Sequence, residues 1–401
     1  MRIPSLNFGA LFAGCISIVA CSQVTQRSPY VPNAVGTIAR EGSSLSYSVL
    51  YSFGAPPDGN YPHSDLIGTG GKFYGTTFGG GANRCGSGTC GTVFSVTTGG
   101  AEKVLHSFGN TRSDGFFPFA GLTSVDGTLY GTTGNGGVYT GIGGTVFSIT
   151  TGGREKVLHS FGSGTDGRGP TAGLINVKGT LYGTTSAGGA YDAGTVFSIT
   201  TSGTEKVLYS FAGGNDGATP QAGLIDVRGE LYGTTLNGGA RDHGTVFAIT
   251  SAGKEQVLYK FRKSPDGNGP EAGLTDIRGT LYGTTYAGGT ENGGTVFSIT
   301  TGGSEKVLHS FIGGTDGQYP GARLINVKGT LYGTTVRGGA ENNGTVFSVT
   351  TGGTENVLHS FGNGTDGVQP AAAMTLKGGS LLGTTYLGGV YGIGTIFSLT
   401  P

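Results

Sequence analysis

Tryptophan is absent from the 401 residues, methionine occurs twice and cysteine four times. A scaffold held together by many disulfides is therefore excluded, and an apolar core must hold the fold. Charge is scarce too, at 12% of residues, with 24 basic against 24 acidic. A nucleic-acid partner would leave a basic stripe, and none is visible. Beyond residue 20 no stretch is long and apolar enough to span a bilayer. There is no Gly-x-Ser-x-Gly elbow with a suitable Asp and His, no His-Glu-x-x-His, no phosphate loop and no dinucleotide fingerprint. No catalytic residue, resident metal or cofactor is expected on these grounds.

Glycine is what abounds: 84 of 401 residues, about three times the usual ~7%. It follows no Gly-x-y period, which excludes collagen. It clusters between short apolar runs, where turns need positive φ. Hydrophobic content of 35%, with 21 Phe and 18 Tyr, is enough to bury a core.

Leu-Tyr-Gly-Thr-Thr at 181–185 recurs with small changes. Its glycine falls at Gly75, Gly131, Gly183, Gly233, Gly283, Gly333 and Gly383, spaced by 56, 52 and then 50 residues. A fixed period of this size means an array of one supersecondary unit. Residues 170–216 serve as the type unit. Pro170–Val177, Thr180–Thr185, Gly194–Thr200 and Glu205–Phe211 are runs rich in Val, Ile, Tyr, Phe and Thr, each bounded by glycine. Each reads as a strand, and no segment has a helical period. Four strands per ~45–50 residues is the pattern of a propeller blade.

The first strand is expected near the axis, apolar on both faces (Leu174, Ile175, Val177). The fourth carries charge at its start (Glu205, Lys206), suiting a solvated outer edge. A period of two puts Val207, Tyr209 and Phe211 on one of its faces. Third and fourth strands each occur seven times, but the ends are offset. The array opens on a lone fourth strand, Tyr47–Phe53, and stops after a third strand, Gly394–Thr400. The expected fold is therefore all-β, a seven-bladed propeller over 45–401, closed by the N-terminal strand completing the last blade.

Met1–Ala20 reads as an export signal, with Arg2 before an apolar run ending in small residues. Residues 21–44, polar and turn-rich with Pro29 and Pro32, read as a flexible tether. Cys85 and Cys90 sit in one glycine-rich loop. An exported chain permits a local bridge between them, the alternative being two free thiols. Two thiols without a nearby Cys or His give no metal site.

Two resemblances add to this reading. Ile18-Val19-Ala20-Cys21 resembles the lipobox of bacterial lipoproteins, which implies lipidation of Cys21. The alternatives are an ordinary cleaved signal and a second, shorter match at Phe12-Ala13-Gly14-Cys15. Ser22 rather than Asp implies, by the same resemblance, the outer membrane of a Gram-negative bacterium; a periplasmic or secreted protein is the alternative. Leu-Tyr-Gly-Thr-Thr, Gly-Gly, Gly-Thr-Val-Phe and Val-Leu-x-Ser-Phe, in that order, resemble the Gloeo_Verruco (GloVer) tandem repeat over nearly all of 45–401. The last blade departs from it at Leu382 and Ile396. The resemblance implies an exported bacterial protein and no established activity.

Asp-Gly-x-x-Pro fills the loops between blades, with Asp58, Asp114, Asp166, Asp216, Asp266, Asp316 and Asp366. Seven carboxylates raise the question of a cation. But a Ca²⁺ site needs six to eight converging oxygens, and Asp-Gly before Pro is turn chemistry. His106, His159, His309 and His359 on the fourth strand alternate with Tyr51, Tyr209 and Tyr259, so a flat packing ring is expected there. The paired threonines repeat too regularly for one active site and read as glue between strands.

Loops between second and third strands vary while their frame stays fixed. They hold Tyr139, Tyr191, Arg241, Asp242, His243, Tyr286, Glu291, Arg337, Glu341 and Tyr391. Variable polar and aromatic residues on a rigid frame are how a binding face is built; solvated turns without a ligand are the equal alternative. The expectation is a monomeric binding or scaffolding module at the cell envelope, held to the membrane by a lipid anchor only. Its ligand would be a carbohydrate or a protein, not nucleic acid. A glycan lyase or hydrolase with its site at the channel mouth, and a purely structural envelope protein, are the competing classes.

Overall fold

Turns of two residues (178–179) and four (201–204) leave the runs they join no option but to reverse and pair antiparallel, and a nine-residue loop (186–194) returns the second run to the third. In the third repeat, Ile175–Val177 pairs with Thr180–Thr185, that strand with Thr195–Thr200, and the last with Glu205–Ser210. A computed structural model describes residues 45–401 except 87, 112, 140–142, 263 and 363. Seven sheets with this four-stranded order form the blades of a propeller, arranged in a ring, and in one of them Gly59–Pro62 adds a short fifth strand beside Lys72–Gly80. We number the blades from the one whose first strand is Ile67–Thr69. Among the described residues there is no α-helix, and nothing helical long and apolar enough to cross a membrane. The export signal, Cys21 and the tether lie outside the described residues.

Ring closure follows the offset of the termini. Ser46–Ser52 is the fourth strand of blade 7, antiparallel to Thr395–Thr400, with Ser46 opposite Thr400 and Ser52 opposite Thr395.

The core lies between blades. Val196 and Phe211 of blade 3 pack with Leu224, Leu231, Phe247 and Ile249 of blade 4, all under one-tenth exposed. The Phe211 and Phe247 rings meet edge to face at 5.1 Å. Gly183 makes room for the equivalent layer between blades 2 and 3: a Cβ there would lie 2.7 Å from Phe197 and 2.9 Å from Leu174. Gly183→Ala should therefore cost about 1–3 kcal/mol by overpacking, read as a lower urea midpoint at unchanged slope.

Both threonines of Gly-Thr-Thr are buried and both join strands. Thr184 Oγ1 donates to the carbonyl of Ala222 in the next blade at 3.1 Å. Thr185 Oγ1 lies 2.8 Å from Thr195 Oγ1 within its own blade.

Three expectations need correction. First strands are only three residues long, and Ile175 and Val177 are half-buried; Leu174, just before, is the buried residue. Each fourth strand carries a bulge at its leucine, such as Leu208, which breaks the period of two between Val207 and Tyr209. And the glutamate opening that strand is no solvated edge charge. Lys206 is exposed, but Glu205 is half-buried against His159 and Asp166 of blade 3's own predecessor, blade 2.

That contact belongs to a repeated seam. The aspartate of Asp-Gly-x-x-Pro does cap its turn: Gly167 N–H donates to Asp166 Oδ1 at 2.7 Å. Its other oxygen takes the ring of the preceding fourth strand, His159 Nε2 at 3.0 Å in one seam and Tyr259 OH to Asp266 at 2.9 Å in another. The histidines and tyrosines thus share a polar atom reaching the aspartate, not merely a flat ring. The glutamate of the next blade completes the seam. Burial first, with the adjacent aspartate adding to it, pushes Glu205, Glu255 and Glu305 up to about 7. At the closing seam Tyr47 stands in place of the glutamate. It stacks on His359 at 3.8 Å and donates its OH to Asp366.

Candidate functional site at the mouth of the axial channel

Loops entering each blade and loops after its second strand share one face, because they hydrogen-bond to each other. Gly167–Arg168 pairs with Ala187–Gly188, and Gly267–Asn268 with Ala287–Gly288. The residue before each proline of Asp-Gly-x-x-Pro is left-handed even where it is not glycine: Tyr61, Phe117, Thr219, Tyr319 and Gln369 have φ of 57 to 62°. Such a conformation is strained, most of all for a β-branched threonine, and persists only where the surroundings dictate it. Here two bonds dictate it, one to the preceding blade and one within its own. Tyr319 donates its N–H to Gly293 at 2.7 Å and accepts from Val336 N–H at 3.1 Å.

These fixed residues carry rings that stack across blades. Tyr61 lies on Tyr386 at 5.0 Å, Phe117 on Phe78 at 4.6 Å and Tyr319 on Tyr286 at 4.9 Å. His63 sits edge-on between Phe119 and Tyr386, at 6.2 and 6.0 Å. The lip of the channel is thus aromatic over blades 5 to 7, 1 and 2, and small or polar over blades 3 and 4.

One step further along the chain, the residue after the proline is different in every blade: His63, Phe119, Thr171, Gln221, Glu271, Gly321 and Ala371. All seven are half-buried. Two residues on, glycine or alanine is the rule, except Asp65 in blade 1 and Arg323 in blade 6. Their side chains meet, Arg323 Nη2 to Asp65 Oδ2 at 3.6 Å, with 51% and 36% of their surface still exposed. Gly121 leaves the space for this pair, since a Cβ there would collide with Asp65 Oδ1. The ion pair makes a charged floor beneath a ring of seven unlike side chains.

Desolvation dominates the electrostatics of this cup. It raises Asp65 despite the neighbouring Arg323, lowers His63 and pushes Glu271 up to about 7. The groups at the lip are therefore biased toward their neutral forms. Such a cup suits an uncharged, polyhydroxylated ligand: rings to stack on apolar faces, and Gln221, Thr171 and Glu271 to meet hydroxyls.

Of the residues expected on the binding face, Tyr286 alone belongs to this cup. Tyr139, Tyr191 and Tyr391 stand at loop tips, 42%, 66% and 65% exposed. Arg241, Glu291 and Glu341 are exposed as well, and Arg337 is half-buried. Asp242 serves its own turn, accepting from Gly238 N–H at 2.7 Å, and His243 Nδ1 lies 3.1 Å from Asn268 Oδ1. Tyr286 apart, no hydrogen bond or ion pair among the described residues joins any two of the other nine. Sequence reasoning missed the seven residues after proline. The signal was present: one hypervariable position inside the otherwise fixed Pro-x-Ala-Gly-Leu. Cys85 and Cys90 form the expected disulfide, with Cα atoms 5.3 Å apart.

Solved propellers resemble this one in fold. A provisional 6-phosphogluconolactonase of Bacteroides uniformis is 16% identical at TM-score 0.50, covering 74% of this chain and 85% of its own. A provisional gluconolactonase is 12% identical at TM-score 0.37, covering 64% and 80%. A luciferin-regenerating enzyme is 12% identical at TM-score 0.40, covering 69% and 88%. No curated protein matches the chain. The sequence model of the Gloeobacter/Verrucomicrobia repeat, by contrast, matches residues 28–178, 140–335 and 314–401. Those three overlapping spans run without a gap across the whole propeller, and the chain belongs to the Gloeobacter/Verrucomicrobia repeat family.

Proposed function

We propose that this chain is an exported propeller, anchored at the cell envelope through Cys21, that binds a neutral carbohydrate in the cup at the mouth of its axial channel. The observation carrying the reading is the ring from His63 to Ala371: seven unlike side chains on one fixed frame, above the Asp65–Arg323 floor. Repetition alone would have kept them alike. Stacked pairs such as Tyr286–Tyr319 supply sugar-binding faces, and the exposed loop tips would form an outer rim.

A glycan array probed with the full chain tests this. The expected result is binding to neutral oligosaccharides, weakened at least about 10-fold, or about 1.4 kcal/mol, by Tyr286→Ala or Gln221→Ala. No binding, or binding unaffected by both, would refute it. A glycan-cleaving enzyme is the second reading. It is favoured by one observation: His63 and Glu271, from blades 1 and 5, are biased to a neutral base and a protonated acid. Product from a bound glycan, lost in Glu271→Gln while binding persists, would establish it.

A further inference from the structure

We propose that the seam between blades 1 and 2 binds one divalent transition-metal cation, zinc being the best match, through His106, Asp114 and Glu155. Each offers a ligand atom, and the three atoms lie within 4.8 Å of one another. His106 comes from the fourth strand of blade 1, Asp114 from the loop after it, and Glu155 from the fourth strand of blade 2.

Other seams have the same residue types but not the same vacancies in their bonding. Asp166 spends Oδ1 on Gly167 N–H and Oδ2 on His159. Asp316 holds His309 with one oxygen and Ile312 N–H, at 2.8 Å, with the other. In the seam between blades 1 and 2 three buried atoms have no hydrogen-bond partner: Glu155 Oε1, a vacancy that Glu205 and Glu355 share in their own seams, and Asp114 Oδ1 and His106 Nε2, which have no counterpart there. Asp114 is only 6% exposed, so water does not readily make up the deficit. A buried carboxylate oxygen without a partner is costly, and a cation is the group that satisfies all three atoms together.

The cause lies in the chain. From Phe108 to Asp114 the loop is one residue longer than from Phe161 to Asp166. The aspartate is held by Asn110 N–H on Oδ2 at 3.1 Å and by its own N–H on Thr111. Oδ1 is thereby kept off the glycine that follows. His106 Nε2 stops 3.5 Å short of Asp114 Oδ2, too far for the bond its counterparts make. The Cys85–Cys90 disulfide packs against Gly109 and stiffens the loop beside the site.

Ligand chemistry selects the ion. Two carboxylates balance a dication, and an imidazole nitrogen favours zinc over calcium or magnesium. Three protein ligands leave one tetrahedral position for water. A bound ion would clip the outer strands of two blades together.

The test is metal counting on the full chain, stripped with EDTA, dialysed against zinc and desalted. The expected result is one zinc per chain. Asp114→Asn and Glu155→Gln should each weaken zinc binding by more than about 10-fold, as loss of a ligand does. Asp166→Asn, in the neighbouring seam, should leave one zinc bound. Circular dichroism confirms that each variant is folded, and His106→Gln replaces any that is not. A folded wild-type chain that retains no zinc overturns the proposal. So does zinc retained by the Asp114 and Glu155 variants, or zinc lost equally from Asp166→Asn.

Discussion

Deleting residues 45–53 should lower the melting temperature by more than about 10 °C and make the chain prone to aggregate. These residues are the outer strand of blade 7, and without them Thr395–Thr400 becomes a bare edge with unpaired N–H and C=O groups. Side chains are lost as well. Phe53 is fully buried, meets Phe94 edge to face at 5.2 Å and packs with Leu66 and Ile396. A buried phenylalanine cut to alanine costs about 3–5 kcal/mol, and a chain this long moves by roughly 1–2 °C per kcal/mol. Phe53→Ala alone should therefore lower the midpoint by about 4–8 °C. Tyr47→Ala should add a smaller loss, because it removes the ring stacked on His359 and the donor to Asp366. A deletion variant that melts like the parent would mean that the ring closes some other way.

Stability should also fall as the pH rises from 5 to 8. Glu102, Glu155, Glu205, Glu255, Glu305 and Glu355 are all held at about 7 in the folded chain, burial being the main cause in each. In the unfolded chain a glutamate titrates near 4.3. Between those limits the native state holds more protons than the unfolded one, so unfolding free energy decreases with pH. The contribution is complete below the unfolded value and is lost as pH passes through about 7. Solvent reaches all six side chains, which cuts each contribution to a few tenths of a kcal/mol. Together they amount to about 2–3 kcal/mol, or roughly 3–5 °C. Thermal melts of the metal-free chain at pH 5, 6, 7 and 8 measure this. Glutamine at all six positions keeps the shape and gives each aspartate a permanent donor, so it should flatten the profile and raise the midpoint at pH 8. A pH slope unchanged by those substitutions would place its origin elsewhere.

How much of this was legible depended on whether the cause was local or lay one blade away. The period, the four strands and the closing strand were plain because each repeats a short apolar run bounded by glycine. The two threonines were legible for the same reason. Seam chemistry was not. Glu205 follows a turn and precedes Lys206, which is how a solvated strand end looks. Only the preceding blade shows that it faces Asp166 and His159, some 40 residues upstream. The bulge at Leu208 has no residue of its own to announce it, since leucine in the second strands, such as Leu181, keeps the regular register. The candidate site was half legible. The variable loops lie on the same face as the cup, and Tyr286 is the one residue they share with it. The residues after proline were overlooked because they sit inside the most regular motif, where one changing letter looks like noise. Their meaning comes from the ring, which carries seven separate segments to one axis.

A crystal structure of the full chain soaked with a glycan it binds addresses the site most directly. The sugar should lie on the propeller axis, above Arg323 and Asp65, with a ring face against Tyr286 or Tyr319 and a hydroxyl within hydrogen-bond reach of Glu271 or Gln221. A sugar seated instead among the outer loop tips, against Tyr191 or Tyr391 with the cup empty, would contradict the assignment of the axial channel as the binding site.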